Sequence, residues 1–417
     1  MKRTNRPFLV LLALSTACGA PQEDAEIDVE AFEAPTQPDR TKEAITDVEH
    51  SAVKRQSIGN CWLYATASWA ESLHKAATGK EVNMSESYWT YWHWFDEITS
   101  GSAEDGKIST GGGFWTAGEI IKNYGVMYEG EFIADEATDE MSARQDEALT
   151  AMNEALKNGA LKTADARADR ELVRQTLDAA WGLDAAVVAQ LDKVFGKDVK
   201  RTLRSRVSLK TTKIWRASTF KTKKATPTAV QGQPRLKASN LLRAIEEWQS
   251  SSYPTWSDTS KRDFLERVQR ALHDEQPLIL SWFVDFNSLD DQGRFFAPPA
   301  KPGHQGGHMV VLEDYQVKDV PGIGTLAAGT LVTDSAELDA ALDKDAKIEF
   351  LRVKNSWGNY RADRDFVGGM PGYHDLYMPY LDGTLKRCND GADGETDVND
   401  CPFEITPFES VVFPPGY

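Results

Sequence analysis

Cysteine and histidine are scarce in this chain, four and seven among 417 residues. Cys18 follows a short apolar leader, Cys388 and Cys401 stand close enough in sequence to oxidise together, and Cys61 has no partner near it in sequence. Cys61 therefore reads as a lone thiol, the feature of the sequence most in need of an explanation. Basic side chains are also in the minority, 47 against 64 acidic, for a net charge of −17. That balance argues against nucleic acid as the main partner and for a soluble, acidic exterior. The apolar leader "PFLVLLALSTA" is too short to span a bilayer. Hydrophobic residues at 41% and aromatics at 10% exclude disorder of the chain as a whole, and the length suits one large domain or two ordinary ones.

The leader has the layout of an export signal: Lys2, Arg3 and Arg6, then the apolar stretch, then small residues before Cys18. "LSTACGA" resembles a bacterial lipobox, with Ser15 where leucine is usual. Two readings stay open, lipidation of Cys18 at a new N-terminus or ordinary secretion. Residues 1–17 are thus a signal peptide and 18–45 an acidic, proline-bearing tether. The expected location is outside the cytoplasm, in a bacterial cell envelope through a lipid anchor, or secreted.

Helical periodicity follows Cys61 in "WLYATASWAESLHKAAT", which puts that cysteine at a helix N-terminus. "VNMSESYWTYWHWFDEI" predicts a second helix with Ser85 as N-cap, and "TGGGFWTAGEIIKNYGV" a glycine turn opening a third. Residues 134–236 change character: alanine-rich and charged, then strongly basic from Lys197 to Lys237, and they read as a mostly helical insertion. Two further helices and a series of β-rich runs, "PLILSWFVDF", "GHMVVLEDYQV" and "IEFLRVKNSW" among them, complete the chain. Helices first and strands last predict α+β, with a helical half at 46–133, a β half at 237–381 and a tail at 382–417.

A nucleophilic thiol needs a helix N-terminus or a base to make thiolate, a group to orient the base, and donors for an oxyanion. His308 in "GGHMVVLEDY" precedes a strand, and the amide oxygen of Asn355 in "VKNSWG" is suited to hold an imidazole. Cys-Trp, His before an apolar strand, and Asn-Ser-Trp-Gly, in that order, resemble papain-like cysteine peptidases, and the aromatic helix and glycine segment resemble the bleomycin hydrolase branch. The resemblance covers 51–133 and about 263–375. It implies a papain-like fold, Cys61 as nucleophile, His308 as base, Asn355 as its orienter and Gln56 as an oxyanion donor. It further implies Trp357 as a shield over the His308–Asn355 bond, and Gly112 and Gly113 as backbone for substrate. This sequence departs from the family in three places: Gln56 lies five residues before Cys61 instead of six, the pattern's first cysteine is absent, and Asp314 stands where glycine is usual before Tyr315. The implied reaction is hydrolysis of peptide amides; a transamidase, or a surface binding module without activity, uses the same fold. A peptide or protein is the expected partner, alongside the membrane if Cys18 is lipidated.

The tail "RCNDGADGETDVNDCPFEI" suits a local disulfide between Cys388 and Cys401, worth roughly 2–3 kcal/mol on the loop-entropy argument. No cofactor is required. Calcium is a weaker expectation there, through Asp393, Asp397 and Asp400, with Asn389 and Gly391 where carboxylates would be expected.

Overall fold

The computed structural model describes residues 48–49, 51–103, 106–138, 141–227, 235–329, 332, 334–358, 370–391 and 396–417. The leader, the tether, Cys18 and Asp393 lie outside them.

Three helices open the fold: α1 (Cys61–Thr78), α2 (Glu86–Ser100) and α3 (Phe114–Tyr124). Ser85 caps α2 by accepting the Tyr88 N–H, and Gly101 ends it at φ 80°. Tyr88, Trp89, Tyr91, Trp92, Trp94 and Phe95 of α2 are all fully buried. A helix with this many buried aromatics has to be enclosed over most of its surface. Tyr124 of α3 stacks on Trp92 with ring centroids 4.0 Å apart. Of the helices α4 (Ala143–Lys157), α5 (Ala164–Ala168), α6 (Arg170–Ala180) and α7 (Ala185–Phe195), α5 and α6 pack on α2, α4 packs on α6, and Phe195 of α7 meets Trp92 edge-on. Buried Arg174 of α6 reaches Asp178 and Asp192 and lies over the rings of Tyr91 and Trp92.

The basic stretch departs from the helical expectation. β1 (Lys221–Thr226) and β2 (Arg235–Asn240) form an antiparallel hairpin against α1. "KTKKAT" shows no apolar alternation, yet Thr222 and Ala225 are buried, so the contact with α1 decides the conformation. After α8 (Leu241–Glu247) comes β3 (Gln249–Ser252), then α9 (Asp258–His273) and the strands β4 (Leu278–Asp285), β5 (Arg294–Phe295), β6 (Gln305–Val320) and β7 (Gly324–Leu326). α10 (Ser335–Ala341), β8 (Lys347–Lys354), β9 (Tyr373–Tyr377), α11 (Met378–Leu381), β10 (Leu385–Arg387), β11 (Phe403–Ile405) and β12 (Phe408–Phe413) follow.

Eight of these strands make one sheet in the order β3-β12-β4-β6-β8-β9-β5, with β7 beside β6. All its pairings are antiparallel except β5 with β9. β4 is buried along almost its whole length, which is why it reads as a continuous apolar run. The architecture is α+β, and one hydrophobic core runs unbroken from the α2 aromatics into the sheet. Most of the tail is outside that sheet, but β12 is inserted between β3 and β4, so residues 408–413 belong to the main body. Cys388 and Cys401 are disulfide-bonded to each other.

Candidate active site

The loop before α1 fixes one wall of the site. Lys54 is buried and donates to Glu71 at 2.9 Å, Glu86 at 2.6 Å and the Met84 carbonyl at 2.9 Å. Burial alone would lower the Lys54 ammonium, but Glu71, Glu86 and Glu129 outweigh it and hold it above its ordinary value. Burial in turn raises the Glu86 carboxyl, against the pull of Lys54. Two residues on, the Gln56 N–H donates to the Ser356 carbonyl at 2.9 Å, while Lys54 accepts from the Gly358 N–H at 3.2 Å. The chain just ahead of α1 is thereby laid along residues 355–358, three hundred positions later.

Asn60 is the N-cap of α1, but its side chain does not cap the helix. Its amide donates instead to Thr90 and to Gln145, each at 2.9 Å, and Gln145 donates onward to Tyr64 and Ser87. The turn that aims Cys61 is thus tied to α2 and α4. Nothing in the sequence marks Gln145 for this; its signal is only its buried place in a helix.

Cys61 opens α1, where first-turn N–H groups give partial positive charge. It is fully buried and disulfide-bonded. The lone thiol expected from sequence spacing is corrected accordingly. Loop-closure entropy grows slowly with separation, so distance along the chain does not forbid pairing.

His308 stands on β6 opposite Trp282. Its Nε2 lies 2.6 Å from Asn355 Oδ1. The Ser356 N–H donates to the same oxygen at 2.7 Å, which fixes which end of the Asn355 amide faces the ring. His308 Nε2 must then carry the hydrogen, and Nδ1 is left as the unprotonated nitrogen of the neutral ring. Trp357 stacks over the imidazole with centroids 4.8 Å apart. Burial foremost lowers the His308 pKa to about 4, against the opposing hydrogen bond to Asn355, so the ring is neutral at neutral pH.

Cys61, Gly112, Gly113 and His308 line one cavity of about 450 Å³. The glycine segment is anchored at its start: Trp62 Nε1 donates to the Thr110 carbonyl at 2.9 Å, and the Ser109 N–H donates to Glu97 at 2.8 Å. A Cβ on Gly112 would lie 2.5 Å from the Trp62 ring, so only glycine lets this backbone pass. Gly113 has space where Gly112 has none.

Gln56 is not brought to this cavity. Its Nε2 donates to the Ile58 carbonyl at 2.9 Å and its Oε1 accepts from Ser356 at 2.5 Å, so the amide is turned into its own loop. In the tail, Asp400 accepts from Asn389 at 2.7 Å and Asp397 accepts from the Asn399 N–H at 3.0 Å, so each has a carboxylate oxygen engaged by the loop itself. Among the described residues no three His, Cys, Asp or Glu gather as a metal site.

No family model and no curated protein matches the chain. Solved structures that resemble it include xylellain, a cysteine protease from Xylella fastidiosa, at 12% identity and TM-score 0.37, covering 95% of this chain and 96% of that one. PepW from Lactobacillus rhamnosis is similar at 13% identity and TM-score 0.41, covering 91% and 82% respectively. The bromelain protease from Ananas comosus is similar at 14% identity and TM-score 0.32, covering 87% and 92%. At such scores the likeness is one of outline, and function has to be read from this chain's own residues.

Proposed function

We propose that this protein is an exported cysteine peptidase of papain-like fold, with Cys61, His308 and Asn355 as its catalytic residues. One observation carries the reading: an imidazole held through Nε2 by Asn355 and roofed by Trp357, on the wall of a cavity that Cys61 shares. The disulfides suit an oxidising compartment, as does the leader.

A disulfide sulfur is no nucleophile, so two equivalents of a reducing thiol first release Cys61 as its thiol: the first attacks the partner sulfur, the second resolves the mixed disulfide so formed, and the reductant leaves as its own disulfide. His308 Nδ1 accepts the Cys61 proton, and the sulfur adds to a peptide carbonyl. The first-turn N–H groups of α1 face the oxyanion. His308 then gives its proton to the departing amine, leaving a thioester; water adds with loss of a proton to His308, and the acid and the thiol are released. Because burial disfavours a charged imidazole, His308 acts as a neutral base ready to take the proton, not as a standing imidazolium. Trp357 keeps water from the His308–Asn355 bond.

The capped state of Cys61 and the inward turn of Gln56 favour one second reading, a binding module without turnover. Incubation with a mixed peptide library, with and without dithiothreitol, separates the two. Cleavage that requires reductant and disappears in Cys61→Ala is expected; no cleavage after complete reduction would leave the binding module. Product carrying an added amine would instead identify transamidation.

A further inference from the structure

A chain of net charge −17 contains one long stretch of the opposite sign: residues 197–224 hold eleven lysines and arginines and a single acid, Asp198. Five of the eleven are in ion pairs, Lys200, Arg204, Lys213, Lys223 and Lys224. Arg201 and Arg216 donate to backbone carbonyls, which leaves their charge unbalanced. Lys197, Arg206, Lys210 and Lys221 meet no carboxylate among the described residues, and the last three are exposed.

The same stretch borders a second cavity, of about 390 Å³, distinct from the one that Cys61 and His308 share. Ile121, Leu203, Ala217 and Leu242 give it apolar walls, with Lys122, Arg204 and Arg216 around them and Glu246 as the one acid in its lining. An apolar seat in a basic field fits an acidic segment that carries apolar side chains between its charges.

This chain contains such a segment. "QEDAEIDVEAFEA", residues 22–34, has six carboxylates and no base, with Ile27, Val29 and Phe32 set among them. The described residues that follow it lie on the basic side of the molecule. Glu49 pairs with Lys75 at 3.6 Å, and next to Lys75 the Nδ1 of His74 meets the Lys221 carbonyl at 3.1 Å. From there ring contacts run from His74 to Phe220, Tyr128 and Trp215, and Trp215 is 38% exposed between Lys213 and Arg216. Phe32 is sixteen positions before Val48, chain enough to span roughly 50 Å when extended.

We propose that residues 22–34 dock on the basic face of their own chain, with Phe32 seated in the second cavity and the carboxylates against the unbalanced lysines and arginines. A segment joined to its site by a short linker meets it at an effective concentration on the order of millimolar, so contacts too weak to join separate molecules hold the two together. The attraction is between exposed charges and fades as salt screens them. The cavity beside Cys61 is not the seat of this segment, and the docking needs no turnover, so it stands apart from the peptidase reading.

Access to the segment tests this. A glutamate-specific endoproteinase is added, without reductant, to the full chain and to a synthetic peptide of residues 19–45, and cleavage after Glu23, Glu26, Glu30 and Glu33 is followed by mass spectrometry. At low ionic strength the protein should be cut about tenfold more slowly than the peptide. The two rates should converge as salt is raised from roughly 0.01 M to roughly 1 M, where the Debye length falls from about 30 Å to about 3 Å. Lys197→Gln/Arg206→Gln/Lys210→Gln/Lys221→Gln should remove most of the protection with the melting curve unmoved, and Phe32→Ala should remove part of it. Protection independent of protein concentration supports docking within one chain; protection that grows with concentration overturns it in favour of a second copy. Cutting at the peptide's rate in low salt also overturns it, and cosedimentation of the protein with phosphatidylglycerol vesicles would then give the face to a membrane. Protection indifferent to both salt and the quadruple variant overturns the basic face as the site.

Discussion

The two walls of the cavity are built on different principles. The helical wall sets the backbone of Gly112 and Gly113 beside Cys61, Phe114 and Trp115, and that backbone is held in place by buried groups some way behind it: Lys54 with its carboxylates, Asn60 with Gln145, and Trp62 under Gly112. The sheet wall offers side chains, His308, Ser281, Glu409 and Ser410, each placed by strand register. A wall of backbone is only as exact as its supports, so remote substitutions should disturb it. A wall of side chains on a sheet should respond chiefly to changes in the side chains themselves.

The largest expected effect is behind the helical wall. Lys54→Met leaves Glu71 and Glu86 buried without their cation, at a cost of about 3–5 kcal/mol. Urea denaturation should show it, and a loss below about 1 kcal/mol would break the contrast. Next is Asn355→Ala on the sheet wall, where loss of the imidazole's orientation should lower kcat about a hundredfold with the melting curve little moved. An equal fall in stability and activity would show that Asn355 acts through the fold instead. Gly112→Ala follows, costing about 1–3 kcal/mol because its methyl meets the Trp62 ring. That variant should recover when Trp62 is replaced by a smaller aromatic, and no recovery would move the clash elsewhere. The smallest is the pH profile. His308, with its pKa lowered to about 4 by burial, is a base at all higher pH, so kcat/KM should fall as pH drops through about 4. A limb near the ordinary histidine value of 6.5 would mean the ring is better solvated in the reduced protein.

The same contrast explains what the sequence made legible. His308, Asn355 and Trp357 could be found because a side-chain constellation leaves residue types in a fixed order. The first three helices were legible from Ser85, the glycine turn and the 3.6-residue spacing, and β4 from its unbroken apolar run. The supports of the helical wall were not, since Gln145 and Glu71 are ordinary helix residues until packing buries them. β1, β2 and β3 are polar strands whose conformation depends on neighbours. The partners of the Gln56 amide, Ile58 and Ser356, have no mark in the sequence, and spacing says nothing of which distant sulfur meets Cys61.

β12 sits between β3 and β4 and carries Glu409, Ser410 and Val412 into the cavity. Residues 408–413 thus complete the sheet wall: without them β3 and β4 lose the strand that joins them, and the cavity loses three of its lining residues.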